Sequence, residues 1–121
     1  MKTEQLGVVT SIKNETGNLI EQGHFVNAQG VTFNSEEETN TSLGIALADT
    51  EADEMVPVAV TGIALAKTGG AILQGDHVYC DTVIYKINYT DPKTTQEIEK
   101  RVGVALDAAS ASGEYIRVLI K

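Results

Sequence analysis

Gly17, Ile20, Gln22, Gly23 and Val26 return as Gly69, Ile72, Gln74, Gly75 and Val78 at one constant offset. Two further matches occur in the same order along the chain. Gly44-Ile45-Ala46-Leu47 pairs with Gly103-Val104-Ala105-Leu106, and Glu54 to Val60 has a counterpart in Glu114 to Ile120. Leu6-Gly7-Val8 more faintly resembles Thr61-Gly62-Ile63. Ordered matches at a period of roughly 50 residues mark an internal repeat, and a repeat constrains topology before any single element is assigned. The expectation is one domain over residues 1–121, built from two interlocked units at about 5–60 and 61–121.

The units read as β-structure. Val56, Val58 and Val60 alternate with Pro57 and Ala59, and Ile116, Val118 and Ile120 alternate about Arg117. Period-2 patterns of this kind belong to half-buried strands. Further strands are expected at Gln5 to Ile12, His24 to Asn27, Ser42 to Ala48, Thr82 to Tyr89 and Arg101 to Asp107. Met55 to Ala66 reads as one long strand, or as two that meet at Thr61-Gly62. Thr94 to Lys100 has room for one helical turn, and no capped, periodic stretch supports a longer helix. Gly7, Gly44, Gly62 and Gly103 interrupt apolar strands, where glycine marks a bend, a bulge or a close backbone approach. Pro57 lacks an amide hydrogen, which places it at an edge or a bulge. Short strands punctuated by turn residues predict an all-β fold, a small β-sandwich or a partly closed β-barrel.

No motif for catalysis or ligand binding is complete in the sequence. Gly62-Ile63-Ala64-Leu65-Ala66-Lys67-Thr68 ends like a phosphate-binding loop, but Ala66 stands where the second glycine must let amides curl round phosphate. His24 and His77 each follow a Gln-Gly pair without further ligands at metal spacing, and each reads as a half-exposed strand start. Asp49, Glu51, Asp53 and Glu54 echo a calcium loop but lack its glycine and its distant glutamate, and Glu36 to Glu38 read as a solvated loop. Cys80 is the only cysteine, so it reads as a small buried hydrophobe. No catalytic, cofactor-binding or metal-ligating residues are assigned, and no cofactor is expected. The chain reads as a non-enzyme. A net charge of −8 argues against a nucleic-acid partner, because phosphate binding is driven by Lys and Arg. No apolar run reaches membrane length, so no membrane partner is expected.

Three stretches carry a family resemblance: Gly69-Gly70-Ala71-Ile72-Leu73-Gln74-Gly75-Asp76-His77-Val78-Tyr79, Arg101 to Ala109, and Gly113 to Ile120. Together they resemble a group of small tailed-phage and prophage proteins with a Gly-Asp-x-Val-Tyr step, a Gly-Val-Ala-Leu strand and a terminal Val-rich strand. Some of these look like capsid decoration, or cement, proteins. The first unit departs from the step, having Gly23-His24 in place of Gly-Asp. The resemblance implies a protein made in the bacterial host cytoplasm that sits on the outer virion capsid surface and stabilises it. Its implied partners are the major capsid protein and two further copies of itself in a homotrimer. Met1 to Gln5, polar and without a core, is the expected mobile contact. The alternative is a carbohydrate- or small-molecule-binding β module. That class needs exposed aromatics for stacking, and the chain supplies only Phe25, Phe33, Tyr79, Tyr85, Tyr89 and Tyr115.

Overall fold

The computed structural model describes residues 3–32, 42–87 and 101–120. Ten strands run through them: β1 (Gln5–Leu6), β2 (Val9–Lys13), β3 (Phe25–Asn27), β4 (Ser42–Ala46), β5 (Met55–Ala59), β6 (Gly62–Lys67), β7 (His77–Cys80), β8 (Ile84–Lys86), β9 (Arg101–Ala105) and β10 (Tyr115–Ile120). None of the described residues is helical. The strands form two antiparallel sheets, one of them a half-barrel, so the fold is all-β. One sheet has the order β1-β6-β10-β9-β7-β8 and the other β2-β5-β4-β3.

The stretch from Gln5 to Ile12, read as one strand, is two strands in different sheets. The break falls at Gly7-Val8, and Met55 to Ala66 breaks opposite it at Val60-Thr61. There the Gly7 N–H donates to the Thr61 carbonyl (3.0 Å) and the Val8 N–H to Thr61 Oγ1 (2.8 Å). A Cβ on Gly7 would overlap that hydroxyl, so the crossing of the two chain segments requires glycine.

The run β6-β10-β9-β7 is paired in the same chain order as β2-β5-β4-β3. Details recur as well. Ile20 bridges Thr50 as Ile72 bridges Ala109. The Gly23 N–H donates to the Ala46 carbonyl (2.9 Å) as the Gly75 N–H does to Ala105 (2.8 Å). A register shift follows Val26 in β3 and Val78 in β7. Val56 and Val58 are buried with Val60 packed beside them, as Ile116 and Val118 are buried beside Ile120. The smaller core holds Ile20, Val26, Ala46, Val56 and Val58, and the larger holds Ile72, Val78, Ala105, Ile116 and Val118 together with Phe25, Ile45 and Ile84. Each buried Val, Ile or Phe side chain contributes about 1.5–3 kcal/mol, which is how a chain without Trp builds a core.

Pro57 does not lie at an edge: β5 is flanked by β2 and β4. The β4–β5 ladder pairs Ile45 with Ala59 and Ala46 with Val58, and Pro57 follows at the position where β4 has ended. Its carbonyl still accepts the Leu47 N–H (2.8 Å). In β10 the same position is Arg117, whose N–H is taken by the Asp107 carboxylate (2.9 Å). Proline removes the donor, and Asp107 satisfies it.

Candidate interaction surface

The residues singled out for chemistry are dispersed by the fold. Gly62 to Lys67 is strand β6, so no phosphate loop forms there. His24 precedes β3 and is half-buried, whereas His77 is exposed in β7 of the other sheet. Cys80 is buried. Among the described residues no three His, Cys, Asp or Glu side chains gather to hold a metal ion. Among the described residues no helix is long and apolar enough to cross a membrane. Glu36 to Glu38 and Thr94 to Lys100 lie outside the described residues.

His24 sits at a join between the two sheets. Its Nε2 lies 3.2 Å from Glu21 Oε2, which is also 3.7 Å from Lys67 Nζ. The adjacent Gly23 carbonyl accepts the Lys67 N–H (3.1 Å), and the Phe25 N–H donates to the Thr82 carbonyl (2.9 Å). Burial lowers the His24 pKa from 6.5, against the opposing pull of Glu21. The acidic turn has a structural task too. Asp49 Oδ1 accepts the Gln22 N–H (2.8 Å), and the Asp53 N–H donates to the Asn14 carbonyl (3.0 Å).

Residues 13–18 enclose a buried hub. Asn14 is fully buried and its amide donates to the carbonyls of Asn18 (2.7 Å) and Thr50 (3.0 Å). Its oxygen accepts the Thr16 N–H (2.9 Å) and hydroxyl (2.6 Å). Only the folded loop reveals this, since an Asn in a polar run signals a turn by itself.

The described aromatics do not form one platform. Tyr79 and Tyr85 stack on each other across β7 and β8 with centroids 5.6 Å apart. Tyr115 lies on β10 against Gly23, and Phe25 is in the core. Phe33 and Tyr89 lie outside the described residues. The terminus is not free from Glu4 onward: Glu4 Oε2 accepts the Leu65 N–H (2.9 Å), and Gln5 pairs with Ile63. Leu6, Val8 and Val9, at 44%, 57% and 46% exposure, then make an apolar run along β1 and the start of β2.

An all-β chain whose conspicuous surface features are strand edges and exposed aliphatics, with its polar residues engaged in holding turns, belongs to the class of structural and interaction proteins. The comparisons narrow the class. The phage cement protein family model matches residues 4–120, and the chain belongs to that family. Its role is structural, as a decoration of the phage capsid. Among solved structures it is similar to the head fiber gp8.5 N base of bacteriophage phi29, with a TM-score of 0.64 and 15% identity, covering 94% of this chain and 95% of that one. At that identity the likeness concerns the fold. No curated protein sequence matches the chain.

Proposed function

We propose that this protein is a non-enzymatic cement protein that binds the major capsid protein on the outer surface of the virion, as a homotrimer, after synthesis in the host cytoplasm. Membership of the phage cement family over residues 4–120 is the observation that carries this reading. The structure adds support in kind, since a cement protein acts through contact area and needs no reactive group. Three linked contacts reinforce one another, raising avidity on the order of a hundredfold or more over one site. The same reading takes the domain as two copies of one unit, about residues 5–60 and 61–121. The shared pairing order of β2-β5-β4-β3 and β6-β10-β9-β7 supports that.

Purified protein added to expanded heads lacking it should bind and raise the temperature at which they release DNA. Sedimentation of the free protein, and counting copies on heads, tests the trimer. Calorimetry with ATP and with duplex DNA at physiological salt should show no binding. Heads that neither bind the protein nor gain heat resistance would sink the proposal. Removing Met1 to Gln5 deletes the Glu4 cap and the Gln5 pairing on β6, so it should cost fold stability as well as binding.

A further inference from the structure

β2 is an edge strand with nearly all its side chains exposed. The Val60 N–H donates to the Val8 carbonyl and the Asn14 N–H to the Glu54 carbonyl, both at 2.8 Å. Even-numbered residues between them therefore turn their amides to β5. Antiparallel alternation directs the main-chain groups of Val9, Ser11 and Lys13 to the open side.

β6 holds the corresponding place beside β10, and its outward amides are engaged. Ile63 pairs with Gln5, the Leu65 N–H donates to Glu4, and the Lys67 N–H donates to Gly23. On β2 only the Lys13 end is closed, by the turn at Gly30, whose carbonyl accepts the Glu15 N–H (2.9 Å). Among the described residues nothing pairs with Val9 or Ser11 on that side. Monomeric proteins guard such edges with outward charges. The one charge on β2, Lys13, is drawn back to Glu15 (3.6 Å) and Asp53 (3.8 Å) of its own chain.

We propose that the open edge of β2 from Val8 to Ser11 takes an extended strand of another polypeptide, uncharged and β-branched at its centre and flanked by Lys or Arg. β1 on β6 shows the kind of occupant this position accepts: extended main chain supplying ladder bonds. Charge selects the flanks. Glu15 and Asp53 outnumber Lys13 at one end of the edge, so a basic residue at whichever end of the incoming strand reaches them is favoured. A second copy, itself of net charge −8 overall, would bring the same acids to the seam, whereas a basic-flanked strand meets them favourably. Main-chain bonds then give affinity, and the alternate side chains give selectivity. That the strand comes from the capsid lattice rests on the function proposed above; the edge itself does not.

The test uses the full chain and a synthetic peptide, Lys-Val-Thr-Val-Thr-Lys, with a Glu-flanked peptide of the same centre for comparison. Millimolar Lys-flanked peptide should slow amide exchange at Val9 and Ser11 at least threefold, and the Glu-flanked peptide should not. Val9→Lys and Ser11→Pro should abolish the slowing while leaving the thermal transition cooperative. Ser11→Pro removes only an outward N–H, and if it unfolds the protein, Val9→Lys still decides the matter. Leu73→Lys, at an equally apolar site with 67% exposure away from this edge, should change nothing. No slowing, or equal slowing by both peptides, overturns the proposal. So does a dimer in sedimentation that Val9→Lys dissolves, which would make a second copy the occupant. In a parallel arm, Val9→Lys should lower binding to expanded heads at least tenfold. Wild-type protein that responds to the peptide but not to heads overturns the capsid donor and leaves the edge assignment standing.

Discussion

Gly103→Ala should be among the most damaging single-methyl changes in this protein. The added Cβ would overlap the Leu119 carbonyl oxygen and lie 2.9 Å from its carbon and 3.3 Å from Ile120 Cα. These are main-chain atoms inside the β9–β10 ladder, where Gly103 faces Ile120, so no side chain can rotate away to make room. β9 must back off from β10. Overpacking of this kind costs about 1–3 kcal/mol, and each ladder group left buried without a partner adds about 1–3 kcal/mol. With one such group lost, the total is about 2–6 kcal/mol, a large share of the roughly 5–15 kcal/mol that stabilises a typical domain. Urea unfolding followed by tyrosine fluorescence and circular dichroism measures it. Gly44→Ala provides a replicate, since its Cβ would overlap the Ala59 carbonyl. Gly70→Ala is the control, because a Cβ there meets nothing within 4 Å. A Gly103→Ala protein within about 0.5 kcal/mol of wild type, which is the scale of a neutral surface change, would refute the reasoning.

Asp53 adopts a left-handed backbone (φ 66°), so Asp53→Gly should stabilise by up to about 1 kcal/mol in the same urea assay; its ion pair with Lys13 is exposed and offsets little. Asn14→Ala removes the buried amide's bonds to the Asn18 and Thr50 carbonyls and takes the acceptor from the Thr16 N–H, and should cost about 2–4 kcal/mol, read as a lower urea midpoint at unchanged slope. His24 has a lowered pKa in the fold, so the unfolded chain binds the proton more readily. Its contribution to stability is full above pH 6.5 and is lost as pH falls from there through the folded value. His24→Gln should flatten that part of a melting-temperature profile, and an unchanged acid slope would refute the assignment.

Much of this was legible locally. Alternation at Val56, Val58 and Val60 and at Ile116, Val118 and Ile120 is a property of the strand itself, because successive side chains point to opposite faces whatever the partner. The matched Gln-Gly steps, the interrupting glycines and the absence of a chemical motif are likewise local facts. The all-β class and the family resemblance rested on such signals. What stayed hidden depends on which segment lies beside which. Gly7 and Gly62 read alike as interruptions, yet only the crossing at Thr61 shows that they send the chain from one sheet to the other. Pro57 looked like an edge marker because a missing N–H is harmless at an edge. It is equally harmless where β4 stops short, and that depends on where a different strand ends. Asn14 looked like a turn residue until Thr50, distant in sequence, arrived over it. The sequence by itself thus determined the all-β class and the buried faces of the alternating strands, since these follow from residue type and spacing. The tertiary structure alone decided that β2 rather than β5 is the open edge, because an edge is defined by the absence of a neighbour and no residue encodes that alone.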